Sequence, residues 1–418
     1  MSDLVSAAEA ALLARDQDIQ PWKQAFVCLL DSPLSREQLL DRVNERIGYA
    51  PRFRRVVAGW PRPTWVDDDG FMASGHVRED RLQPGKQLQD WLAGRLAVPF
   101  DRDHPLWEAW LVHGVARGRP AVVVLSHPAL VDGYDNVHLL QELLDEYPTP
   151  IGQEAPVWQA AGAKAPGWAD LLSGWDDPLR TLQEAATGLG GMLENAVRTL
   201  GAAARPHHVA GVELDLATLA GIKEQAGCTT HDVLLALTTA GVRGWLIDQG
   251  RLPEDLVALA PLAVTEANLL ESAIGCRIAP QWIALPIGEA NPATRLATIA
   301  TLTRARLDTG VSVPARDLMD LAGFAPPTLH SLAAGTVAVG RPHRVWVSNA
   351  PGPREPRYLG TSRVTGVYSL VATTDDQEIT VSISSYRGRV TIGVTAVAEL
   401  KHFARDVSSE LGVLRAGA

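Results

Sequence analysis

Behind Gly118 and Pro120, the run Ala121–Leu125 (AVVVL) is apolar at every position, and the polar loop Ser126–Gly133 (SHPALVDG) follows it. An unbroken apolar run of this length, without alternation, fits a strand buried on both faces. Asn136–Glu146 then places Val137, Leu140 and Leu144 on one face of a helix. A buried strand handed on to an amphipathic helix is the unit of an α/β fold, and it puts SHPALVDG on the loop between the two.

The same alternation recurs along the chain. Leu34–Ile47 reads as a helix opening at Ser35, with Gln38 completing a capping box and Leu39, Leu40, Val43 and Ile47 on one face. Near Val209 the segment GVELDL reads as a strand, followed by a helix over Leu216–Ala226 and a longer one from Thr230–His231–Asp232 to Ile247. The remainder reads as short strands and turns: a rigid turn at Asn349–Pro353, then two β-rich runs, Ile379–Ser385 and Arg389–Ala396, joined through Tyr386–Arg387–Gly388 as a hairpin. A length of 418 residues exceeds one ordinary core, so two domains are expected. The boundaries fall at 1–146 for the domain with the motif loop and 207–418 for the second. Residues 147–206, rich in Ala, Gly, Pro and Trp, form a linker that carries one helix over Pro178–Leu200.

Hydrophobic residues at 46% and charged residues at 21% describe a folded chain rather than a disordered one. A net charge of -10 argues against a nucleic-acid partner. The three cysteines, Cys28, Cys228 and Cys276, are widely spaced without CxxC, which suggests neither a disulfide framework nor a zinc site and fits a reducing cytosol. The N-terminus has no basic segment ahead of its apolar run, and no run approaches the ~20 residues of a membrane span. Lipid contact is expected to be peripheral, at the inner face of a membrane or on a lipid droplet.

The loop offers His127, Asp132 and Gly133. Acyl transfer from a thioester to a hydroxyl needs a neutral imidazole to take the hydroxyl proton, an oxyanion donor and exclusion of water, with no covalent nucleophile. A buried aspartate in such a loop braces it more often than it touches substrate, because an unpaired buried carboxylate is costly. Taken alone, one histidine near one aspartate fits a purely structural loop better than a catalytic one.

Further segments narrow the reading. Tyr49–Val57 reads YAPRFRRVV, Pro63–Phe71 PTWVDDDGF, His76–Asp80 HVRED and Phe100–Glu108 FDRDHPLWE; Ser348–Pro353 reads SNAPGP, followed by REPRYLG and SYRGRVTIGV. In this order they resemble the bacterial wax ester synthase/diacylglycerol acyltransferase family along nearly the whole chain. The resemblance implies a two-domain α/β fold of the CoA-dependent acyltransferase type, shared with chloramphenicol acetyltransferase and condensation domains, with the active site in an interdomain channel. It implies an acyl-CoA-dependent O-acyltransferase making a lipid ester. Acyl-CoA would be co-substrate, a long-chain alcohol or diacylglycerol the acceptor, and no cofactor or metal is required.

The family signature is HHxxxDG, whose second histidine is taken as the general base. Without gaps His127 matches the first histidine, Asp132 and Gly133 match the closing pair, and Pro128 stands at the base. Proline cannot accept a proton. The family's Asn–Asp pair at the start of the second domain's long helix is His231–Asp232 here, so His231 is either a displaced base or a solvated residue at a helix cap. Trp107 lines a lipid channel or packs in the core, and Asn349 aims its amide at an oxyanion or stabilises its own turn. His207 and His208 read as solvated linker residues. Two alternatives accompany the enzyme: an impaired relative that binds acyl chains or acyl-CoA, and a condensation-type transferase with altered chemistry.

Overall fold

The computed structural model describes residues 5, 13, 21–59, 63–115, 118–130, 139–152, 207–251, 256–263, 278–308, 345–350, 352–373 and 377–417. The proposed linker helix, Asp132, Gly133 and the side chain of Asn349 lie outside the described residues. In chain order the elements of the first half are β1 (Gln24–Leu30), α1 (Arg36–Arg46), β2 (Arg55–Ala58), β3 (Thr64–Asp67), α2 (Ala73–His76), β4 (Val77–Arg81), α3 (Leu88–Leu96), β5 (Trp107–His113), β6 (Ala121–Ser126) and α4 (Leu139–Leu143). The second half holds β7 (His208–Asp215), α5 (Leu216–Ala226), α6 (Thr230–Asp248), β8 (Leu256–Ala263), β9 (Ile278–Leu285) and α7 (Pro292–Asp308). It continues with β10 (Val345–Ala350), β11 (Tyr358–Leu359), β12 (Ser362–Val371), β13 (Ile379–Tyr386), β14 (Arg389–Ala396) and α8 (Phe403–Ala416).

Two mixed six-stranded sheets organise these elements, one ordered β11-β12-β1-β6-β5-β4 and the other β7-β14-β13-β10-β8-β9. β6 is central in the first sheet and buried at every residue, as its apolar run requires. Val122 and Val124 face a core shared with α1 and α4, while Val123 and Leu125 face a second core shared with α3. α1 opens on the expected capping box, with Ser35 Oγ accepting from Gln38 N and Gln38 Oε1 accepting from Ser35 N. Buried Arg42 on the same helix donates to Leu143 O (3.1 Å) and pairs with Glu45 and Asp145, which ties α1 to the end of α4.

The domain boundaries need one correction. The second half does not stay in its own sheet, because β11 and β12 complete the first one, β12 pairing antiparallel with the full length of β1 through Val364–Val371. Only Ser362 and Arg363 of β12 meet β11, so the outer edge of the strand is open beyond them and needs polar partners. β13 supplies these across the seam between sheets. Thr380 Oγ1 donates to Val371 O, and Tyr386 Oη donates to Val364 O (3.2 Å) while accepting from Arg357 N (2.8 Å). Alternation along β13 and β14 explains how one strand pair serves two purposes. Val381, Ile383, Val390, Ile392 and Val394 pack beneath the helices of the second half, while Thr380, Ser382, Ser384 and Thr395 fall on the opposite face.

A second correction concerns α7 and α8, which lie where the sequence reads as strands and turns. Both put charged residues at core positions: Arg295 and Glu410 are buried and paired at 2.6 Å. Each therefore interrupts the apolar stripe that would reveal its helix.

Candidate active site

Ser126 ends β6 beside Gln24 of β1, which in turn pairs with Val371 of β12. Gln24 Nε2 donates to Ser126 Oγ at 3.3 Å. The motif loop thus leaves the first sheet at the end where Thr380 of the second sheet seals the edge of β12. His127 N donates to Leu106 O (2.9 Å), Leu130 N donates to His127 O (3.0 Å), and Pro128–Leu130 form a 3-10 turn buried throughout. Proline suits the first position of such a turn, where its fixed φ is already correct and its missing N–H leaves no bond unmade.

The segment Pro105–Glu108 holds this loop from the β5 side. Leu106 supplies the carbonyl for His127, and Trp107 pairs with Ser126 in the ladder. Trp107 itself belongs to the core rather than to a channel lining. It is 1% exposed, donates Nε1 to Phe53 O (2.6 Å), and stacks on His76 with centroids 4.6 Å apart.

His127 is fully buried, and Ala129 N donates to its Nδ1 at 3.0 Å. A ring that accepts at Nδ1 carries its proton on Nε2 when neutral. Burial, reinforced by the charge of Arg102, lowers its pKa to about 3, so the ring is neutral at physiological pH. His127 is therefore a donor at Nε2 and cannot take a substrate proton there. Its observable contribution is to hold the turn that Pro128 begins.

His231 is the second residue of α6. Its helix is capped by Thr229, whose N and Oγ1 both donate to Asp232 Oδ2 at 2.8 Å, while Asp232 Oδ1 accepts from Thr303 Oγ1 at 2.6 Å. His231 is not a solvated cap residue: its Nε2 is buried with no hydrogen-bond partner among the described residues, and burial lowers its pKa against the opposing pull of Asp232. Nor does it stand beside the motif. The C-terminal end of α6 is tied to the start of β13, through Trp245 Nε1 donating to Ala398 O (3.4 Å) and Arg251 paired with Glu378 (3.0 Å). Its first turn accordingly lies toward the other end of β13. Thr380 marks the motif end and Tyr386 the far end, a strand length of about 20 Å. The first turn of α6, with His231, is thus separated along the strands from the end where His127 lies.

His207 corrects the reading of a solvated linker. It is 5% exposed, its Nδ1 lies 3.4 Å from Thr373 Oγ1, and burial with the neighbouring His208 lowers its pKa to about 4. Nothing local marks this burial, since the residue follows Arg205 and Pro206. Among the described residues, no three His, Cys, Asp or Glu side chains are grouped to hold a metal, and no helix is long and apolar enough to cross a membrane.

Two α/β halves, with strands of the second completing the sheet of the first and a histidine loop at their seam, have the two-domain fold of the CoA-dependent acyltransferase type. Comparison with known proteins gives the family. The profile of the "Wax ester synthase/diacylglycerol acyltransferase catalytic domain" matches residues 6–210, and that of the "WS/DGAT C-terminal domain" matches residues 274–414. The chain belongs to the wax ester synthase/diacylglycerol acyltransferase family and is an O-acyltransferase of that type. A putative diacylglycerol O-acyltransferase of Mycobacterium tuberculosis is 26% identical over 392 residues, covering 84% of this chain and 76% of the relative. One from Mycobacterium bovis is 27% identical over 463 residues, covering 98% and 90%. Among solved structures, the wax ester synthase/diacylglycerol acyltransferase of Marinobacter aquaeolei VT8 superposes with a TM-score of 0.70 at 20% identity, covering 99% of each chain. A starter condensation domain of rhizomide synthetase, solved with C8-CoA, gives 0.56 at 14% identity over 100% of this chain and 95% of that one.

Proposed function

We propose that this chain transfers an acyl group directly from acyl-CoA to the hydroxyl of a long-chain alcohol or a diacylglycerol, with acyl-CoA as co-substrate and no cofactor. Donor and acceptor meet in a channel at the seam between the halves, and the acceptor lipid is reached through peripheral contact with a membrane or lipid droplet. The observation that carries this reading is the placement of the loop, pinned through Leu106 O and His127 at the seam end of β6. In this reading His127 positions the loop and Asp132 braces it, while Pro128 removes the usual proton acceptor without unfolding the turn.

The test is transfer of radiolabelled acyl chains from acyl-CoA to hexadecanol or diacylglycerol by the native chain and by Pro128→His. Native ester formation, raised in Pro128→His, is the expected result. A native chain that binds acyl-CoA yet makes ester only after Pro128→His would establish an acyl-CoA-binding protein instead.

A further inference from the structure

We infer that His207 supplies the proton acceptor that Pro128 removes from the motif; this rests on the acyl-transfer reading above. Three observations converge on it. Val209, two residues after His207, packs in the same apolar cluster as Leu125, two residues before His127. The chain therefore enters β7 alongside the end of β6 from which the motif loop departs. Thr373, the contact of His207 Nδ1, continues β12 beyond Val371, at the level where Gln24 and Ser126 pair. His207 stands at the motif end of the seam, whereas His231 stands at the far end.

The ring is also set up oppositely to that of His127. In His127 the backbone N–H of Ala129 occupies Nδ1 and fixes the proton on Nε2. In His207, Nδ1 faces a hydroxyl that can accept, so the proton can reside on Nδ1 and leave the Nε2 lone pair available. That Nε2 is buried and has no hydrogen-bond partner among the described residues, in a side chain that is 5% exposed. A buried imidazole nitrogen without a partner is costly unless something occupies it in the working state. The acceptor hydroxyl is such a group. As its oxygen attacks the thioester carbonyl, the new C–O bond forms and the hydroxyl proton passes to Nε2. The C–S bond then breaks, and the same proton moves to the CoA sulfur, releasing ester and CoA thiol.

Acyl transfer by the full chain is compared among native, His207→Gln and His207→Gln/Pro128→His proteins, with acyl-CoA binding and melting temperature measured on each. Loss of general-base catalysis lowers kcat by about 10²–10⁴-fold in His207→Gln. Acyl-CoA binding and melting stay near native, and the added Pro128→His restores turnover. Native-like turnover in His207→Gln overturns the inference. A loss that tracks weaker binding or a lower melting temperature assigns His207 a structural role and overturns it too. A native chain that makes no ester fails the acyl-transfer reading itself, which separates the two failures.

Discussion

Gly393→Ala tests the seam directly. Gly393 lies on β14 opposite Ser382, and a Cβ built there falls 2.5 Å from Ser369 O and 2.9 Å from Leu370 Cδ2. The leucine methyl can rotate away. The carbonyl cannot, because it belongs to β12, whose other edge is fixed to β1 through the Phe26–Ser369 pair. Reaching ordinary contact at 3.4 Å requires the two sheets to separate locally by about 0.9 Å. Overpacking of this kind costs roughly 1–3 kcal/mol, which for a chain of 418 residues lowers the melting temperature by about 1–3 °C. The same displacement runs along β12 to Val371 and across to Gln24 and Ser126. A misplacement on the order of 1 Å at reacting groups costs up to about 100-fold in rate, so turnover falls further than stability alone accounts for. Calorimetry and the acyl-transfer assay measure the two effects separately. Gly221→Ala serves as the control: a Cβ there meets nothing within 4 Å, and alanine inside α5 stabilises by up to about 1 kcal/mol. If Gly393→Ala melts with the native protein and turns over normally, the sheets are not held together at this contact.

Two further outcomes follow from buried charge. Glu410→Ala leaves Arg295 buried without its carboxylate and lowers stability by about 3–5 kcal/mol, whereas replacing both residues by Met recovers most of the loss; chemical denaturation of the three proteins decides between a paired and an independent role. The second outcome concerns pH. His127 and His207 have folded-state pKa values of about 3 and about 4, below the usual histidine value near 6.5, because burial disfavours their charged forms. The unfolded chain binds these protons first, so the stability they lend is complete above about pH 6.5 and is lost as the pH falls toward 4 and then 3. Melting temperature should therefore drop between pH 7 and 4.5. His127→Gln and His207→Gln should each flatten that slope by about one proton, or about 1.4 kcal/mol per pH unit; an unchanged slope in both would mean that neither ring is buried neutral.

Local chemistry made much of the fold legible. The capping box at Ser35 and Gln38 is intramolecular over one turn, and α5 matches its expected span of Leu216–Ala226. The β13–β14 hairpin turns through Arg387 and Gly388 at positive φ values of 49° and 77°, a conformation that glycine adopts freely. What stayed hidden depends on distant partners. α7 and α8 read as turns because their core positions hold Arg295 and Glu410, which become tolerable only once they meet. β12 carries no local mark that it joins the sheet of β1, since strand pairing over more than 300 residues is fixed by which edges remain open. His207 looks solvated beside Arg205 and Pro206, and its burial is decided by Thr373 and by Val209 entering the core of the other half.

The same distinction governs Pro128. Sequence shows which proton acceptor is missing, and simple proximity makes His127 its natural substitute. Geometry removes that option, because the 3-10 turn begun by Pro128 aims Ala129 N–H at Nδ1 and thereby fixes the tautomer of the neighbouring ring. A proline at the base position thus has two consequences: it deletes one imidazole and fits a turn that commits the other to donating. A histidine base for the proposed transfer would then come from outside the loop. Outside the loop, at the end of the seam where it lies, His207 holds a buried ring nitrogen with no hydrogen-bond partner among the described residues.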